Sequence, residues 1–180
     1  MGVTGSPGTG KKTVSPLVAK ILGLPLVSLN EIATKYRLLD PETGEVDTRA
    51  MRRKVASAVD RPSLAFGHLL PYVVAPRSLD RAVVLRCEPS VLKKRLARRG
   101  YPPSKVTENV EAELIGVVSA DAFDAFGTGK TSEVDTTGST PAEAAREVVA
   151  ALGGKGGHRI DWTTDYGSGA KLRSLLGSTG

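Results

Sequence analysis

Gly5-Ser6-Pro7-Gly8-Thr9-Gly10-Lys11 fits the spacing G-x-x-x-x-G-K. Glycines at these positions let the backbone curl without Cβ clashes, so that successive N–H groups point inward at an anion. The chain beyond Lys11 reads as a helix over 11–22, with Val14, Leu17, Val18 and Ile21 on one face. Its positive N-terminal end would face the same anion. Strand remnant, loop and amphipathic helix follow one another in the order a phosphate loop requires. Lys11 is then the ammonium that reaches the β- and γ-phosphates.

Only Met1-Gly2-Val3-Thr4 precedes the loop, which is short for a central strand and suggests a start further upstream. Downstream, short apolar runs alternate with helical patterns. Strands are expected over 24–27, 63–66, 81–87 and 130–134, and helices over 29–35, 48–59, 90–99 and 103–126. Thr140-Pro141-Ala142-Glu143 opens a further helix with a capping box and proline in its first turn. The pattern predicts an α/β fold of the P-loop NTPase class, a parallel five-stranded sheet flanked by helices. Residues 1–152 would form the domain, and 153–180 a glycine-rich flexible tail with few apolar anchors.

The 180 residues, 40% of them hydrophobic, suit one such domain. Cys87 is the only cysteine and there are two histidines, so an internal disulfide is excluded and a His/Cys metal cluster is not expected. No run approaches the roughly 18 apolar residues of a membrane span, and no basic-then-apolar leader is visible. A cytoplasmic setting follows as the expectation. The net charge of +6 admits nucleic-acid or phosphate partners, while 4% aromatic residues is low for a single-strand stacking surface.

A basic helix after the fourth strand points to the nucleoside monophosphate kinases, which surround the γ-phosphate with arginines and exclude water by closing a lid. Arg95, Arg98 and Arg99 stand at the entrance of a short lid, about 98–108. Arg95 and Arg99 are four apart, so both can face one anion; a solvated basic helix end is the plainer reading.

The run Arg99-Gly100-Tyr101, Lys105, Glu108-Asn109, Ala112-Glu113, together with the loop, resembles the adenylate kinase isoenzyme 6 family. Archaeal members are described as adenylate kinases and eukaryotic ones as nuclear ATPases of small-subunit ribosome assembly. The resemblance covers roughly residues 3 to 152, with a weaker echo at Ile160-Asp161-Trp162. It implies transfer of a phosphoryl group from ATP to AMP with broad specificity, and ATPase activity beside it. It also implies a part in small-subunit rRNA maturation, through a platform ribosomal protein and pre-ribosomal RNA. Gly8, Gly10, Lys11, Lys12 and Thr13 fall on the family's ATP loop and Arg99 on its lid arginine. The monophosphate region would be about 28–51, with Asn30, Arg37 and Asp47 as candidates.

Two departures concern magnesium. The position after the loop lysine normally carries a hydroxyl, and here it is Lys12, with Thr13 one residue later. The family's third strand ends in an acid, any residue, then histidine; here the place reads Phe66-Gly67-His68. His68 can orient a water or serve as a structural strand-end residue. Asp60, about 20 Å away at the other end of that strand, is a poor substitute, and Asp80 suffers from the same geometry. No residue is nominated as a metal ligand, and Mg²⁺ is expected to be held mainly through the nucleotide, with turnover reduced more than ATP binding.

Overall fold

The computed structural model describes residues 1–167 and 169–177. Five parallel strands lie in the order β2-β3-β1-β4-β5: β1 (Gly2–Gly5), β2 (Leu26–Ser28), β3 (Leu64–Phe66), β4 (Ala82–Arg86) and β5 (Thr131–Asp135). Short as it is, β1 is the central strand, paired with β3 on one side and with β4 on the other. β1, β3 and β4 are buried along their whole length because helices cover both faces, and apart from Thr4 and Arg86 their side chains are apolar.

One face is covered by α1 (Lys11–Leu22) and α8 (Pro141–Leu152), which bury Val14, Val18, Ala144, Ala145 and Val148 against Val3, Val83 and Leu85. The capping box at Thr140 and Glu143 forms as its sequence predicts. The other face is covered by α3 (Thr48–Ala58), α4 (Leu70–Val73) and α7 (Val117–Phe126), around Met51, Leu70, Val84 and Phe126. Ser28 caps α2 (Leu29–Lys35), and Asp47 caps α3. The single helix expected over 103–126 is two: α6 (Pro103–Leu114) ends before Gly116, which sits at φ 71°. A left-handed residue stops a helix, and glycine takes that conformation without strain.

The break serves a buried charge network. Arg86, at the end of β4, bonds Glu113 of α6 through Nε at 2.8 Å and Glu133 of β5 through Nη1 at 2.5 Å. These side chains are at most 2% exposed. Ser119 of α7 donates to Glu133, so the bend lets two helices reach one cluster.

The segment after Leu152 corrects the expectation of few anchors. Trp162, Tyr166 and α9 (Gly169–Leu176) pack on Leu92 and Leu96 of α5 (Pro89–Arg98) and on Val106 and Val110 of α6. Ile160 joins the charge network: its N–H donates to Glu133, and its carbonyl accepts from Arg86 Nη1 at 3.0 Å. Lys93 donates to the Leu175 carbonyl and the Tyr166 hydroxyl to Glu88.

Removing one partner of a buried ion cluster leaves charge uncompensated and costs about 3–5 kcal/mol. Arg86→Met should therefore lower the free energy of urea unfolding by about that amount. Lys105→Ala, which deletes the exposed Lys105–Glu108 pair, should change it by less than about 1 kcal/mol. Equal effects from the two substitutions would show that the cluster does not carry the fold.

Candidate nucleotide-binding site

The loop between β1 and α1 closes over a cleft of about 410 Å³ at the C-terminal end of the sheet. Gly8 and Gly10, both at positive φ, let the loop turn there. Gly8 also has a packing reason: a Cβ would lie 2.5 Å from Leu92 Cδ1 and 3.0 Å from Leu96 Cδ2. The loop is thus seated directly on the core of α5. Pro7, Gly8, Gly10, Lys11, Lys12, Thr13, Asn30, His68, Arg99 and Tyr101 line the cleft. The expected loop residues, Arg99 and His68 are therefore brought to one place.

Lys11 is the centre of the cleft's electrostatics. Its ammonium donates to the Gly5 carbonyl at 2.6 Å and the Ser6 carbonyl at 2.8 Å. Burial depresses its pKa to about 7; Glu113 opposes that shift, and the charges of Arg99 and Lys12 add to it. An anion in the cleft would add to the negative charge of Glu113 and favour the charged form of Lys11. His68 is pushed below its ordinary value, chiefly by burial and then by the positive charge of Lys11.

Arg95 does not face the anion. Its guanidinium donates to the Thr136 carbonyl at 2.7 Å and the Thr137 carbonyl at 3.0 Å, pinning the loop after β5. Helical spacing placed it on the face of Arg99, yet the groups opposite that face claimed it first. Asp47 is engaged as the cap of α3, accepting from Ala50 N–H at 2.9 Å. Arg37, at φ 51°, stands outside the residues lining the cleft, whereas Asn30 is among them. The connection from α5 to α6 is the short turn 99–102; Arg98 still belongs to α5, and residues 103–108 of the expected lid already belong to α6.

Among the described residues no carboxylate lines the cleft, and no three His, Cys, Asp or Glu side chains converge as metal ligands. Phe66 is 8% exposed at the end of β3, and lines an adjoining depression with Lys12, Ser28 and Asn30. Asp60 and Asp80 border a different cavity beside Met1, so neither takes the missing acid's place. The donor set therefore does not fit a protein-ligated magnesium ion, and no step is assigned to one.

Sequence reasoning missed the group behind the loop. Glu113 Oε2 accepts from the Ser6 hydroxyl at 2.6 Å, while Oε1 accepts from Arg86 Nε and from the Cys87 N–H at 3.0 Å. Glu113 was visible only as the last letter of the lid run. Its role was hidden because its partners lie 26, 27 and 107 positions away.

Residues 1–116 match a family model described as "AAA domain". The chain is 35% identical over 173 residues to the "Putative adenylate kinase" of Thermococcus gammatolerans, covering 92% of this chain and 94% of that protein. It is 30% identical over 175 residues to the one of Methanocaldococcus jannaschii, covering 92% and 94%. Among solved structures it resembles shikimate kinase from Acinetobacter baumannii (TM-score 0.61, 18% identity, 85% of this chain and 92% of that one). It also resembles a gluconokinase from Sinorhizobium meliloti (TM-score 0.57, 23% identity, 84% and 90%). These two likenesses support the P-loop kinase fold. On the loop, the lid run and the near full-length matches, the chain belongs to the family of these archaeal proteins named "Putative adenylate kinase".

Proposed function

We propose that this protein is a nucleoside monophosphate kinase of broad specificity that moves the γ-phosphoryl group of ATP to AMP, with ATPase activity beside it. The observation that carries the reading is that Lys11, Arg99 and the loop residues Gly8 and Gly10 line one cleft with no lining carboxylate among the described residues. An oxygen of the acceptor phosphate attacks the γ-phosphorus as the bond to the β–γ bridging oxygen breaks, and ADP leaves. Charge on the transferring group is stabilised by fixed donors that need no reorganisation. Lys11 and the loop amides bind the triphosphate, Arg99 reaches the transferring group, and the 99–102 turn with Tyr101 shields the site from water. His68 is positioned to orient the attacking group, or water in the ATPase reaction. Magnesium would be held mainly by the nucleotide's own phosphates, where it would supply charge neutralisation.

A second reading has a specific observation in its favour. Lys12 and Phe66 stand at the two magnesium-supporting positions, which weakens turnover more than binding. On this reading the protein is a nucleotide-dependent assembly factor in small-subunit rRNA maturation, working through a platform ribosomal protein and pre-ribosomal RNA. ATP-dependent pull-down of small-subunit ribosomal proteins supports it, and capture of none of them rejects it.

Incubation of purified protein with ATP, AMP and Mg²⁺ should yield ADP above background. ATP binding without ADP formation would leave only the second reading. Lys12→Thr removes an ammonium beside the metal, worth about 1–2 kcal/mol at an exposed site, and should raise kcat roughly tenfold. Phe66→Asp should raise it further, although Phe66 belongs to the core, so this assay must run well below the unfolding temperature. No gain from Lys12→Thr would show that the ammonium does not hinder the metal.

The depressed pKa of Lys11 gives a pH dependence of known sign. In the free protein the ammonium is charged below about pH 7 and neutral above it. Bound phosphates favour the charged form and raise the pKa, so binding takes up a proton above that value. Calorimetry at about pH 8, in buffers of different ionisation enthalpy, should report uptake approaching one proton per ATP, falling toward zero near pH 6. Uptake that is absent at both would contradict the assignment.

A further inference from the structure

The nucleotide cleft is served by a side chain that does not line it. Glu113, 1% exposed, sits behind the loop with both carboxylate oxygens engaged. One oxygen is saturated by the core, through Arg86 Nε and the Cys87 N–H, and these partners fix its position. The other holds the Ser6 hydroxyl at 2.6 Å. Ser6 in turn offers its carbonyl to Lys11 at 2.8 Å and to the Thr9 hydroxyl at 2.8 Å. A chain of hydrogen bonds thus runs from the core guanidinium through one carboxylate to the loop and its lysine.

We infer that Glu113 is a positioning residue for the phosphate loop, anchoring Ser6 to the core and placing a fixed negative charge behind the Lys11 ammonium. The inference rests on the nucleotide site proposed above. Two physical effects follow. The clamp sets the loop in its binding geometry before the anion arrives, so less ordering is needed on binding. The carboxylate also keeps Lys11 charged against the burial that would neutralise it. The other ionic groups facing Lys11 work in the opposite direction: Arg99 from the turn after α5 and Lys12 on α1. His68, beyond β3, is pushed below its ordinary value by burial and then by the charge of Lys11. Glu113 is the carboxylate that stands against these cations.

Glu113→Gln separates the two effects, because the amide keeps the size and hydrogen-bonding reach while removing the charge. ATP would be titrated without metal into wild type, Glu113→Gln and Ser6→Ala between about pH 6 and pH 9. In wild type the affinity should fall as pH rises through about 7, as Lys11 loses its proton. In Glu113→Gln that fall should move about one pH unit lower, so affinity is about tenfold weaker at pH 8 and within about threefold at pH 6. A residue serving only the fold would not move this inflection. Ser6→Ala should weaken affinity by about tenfold at every pH, through loss of a hydrogen bond to a charged group, and leave the inflection in place. An unmoved inflection in Glu113→Gln, with wild type binding ATP, overturns the positioning role alone. Should Glu113→Gln not fold, wild-type affinity in Ser6→Ala overturns it as well. Absence of binding in wild type overturns the nucleotide site itself, together with the inference built on it.

Discussion

A guanidinium held between two carboxylates in the interior is the constraint around which this molecule is arranged. Charges at most 2% exposed are tolerable only when paired and hydrogen-bonded, since each would otherwise cost several kcal/mol to bury. Arg86 meets that condition by drawing in partners from across the fold: Glu113 from α6, Glu133 from β5 and the Ile160 carbonyl from beyond α8. One guanidinium and two carboxylates leave a negative excess, and Lys11 is the nearby cation that balances it from the loop side. The phosphate loop is therefore not an independent turn resting on the sheet. It is one wall of a charge network that also fixes the helix break at Gly116 and the docking of the segment after Leu152.

The elements with strong local signals were legible in the sequence. The glycine spacing and the capping box of α8 each depend on neighbours within a few positions and formed as read, whereas the apolar row of α1 formed only in part: Val14 and Val18 are buried, and Ile21 is 55% exposed. The features that were not legible are those decided by distant groups. Arg95 lies on the helix face predicted for it, but the Thr136 and Thr137 carbonyls that occupy it come from 41 and 42 positions along the chain. The run over 103–126 carries an uninterrupted apolar row, and only the need to bring Glu113 and Ser119 to one cluster shows why Gly116 breaks it. After Leu152, glycines dominate the composition, yet Trp162, Tyr166, Leu172 and Leu175 are enough to cover Leu92 and Leu96.

The candidate site shows the same division. Loop residues could be placed from motif spacing, because the backbone geometry of such a loop leaves little choice, and Arg99 from the resemblance of the lid run. Glu113 could be matched but not understood, since a motif letter does not reveal that a side chain faces the back of another loop. Among the described residues no acid lines the cleft, and Phe66 lies in an adjoining depression. The charged side chains lining the cleft are the cations Lys11, Lys12 and Arg99. On the proposed function, grip on the nucleotide and support of the metal are thereby carried by different groups.

That separation makes binding, rather than turnover, the direct probe of the account. ATP titrated calorimetrically into the purified protein, once with Mg²⁺ and once with a chelator, reads the loop's amides and Lys11 apart from metal chemistry. The account predicts saturable binding in both conditions, with dissociation constants within about tenfold of each other, or about 1.4 kcal/mol. Absence of binding heat at millimolar ATP, or binding seen only with the metal present, would contradict it.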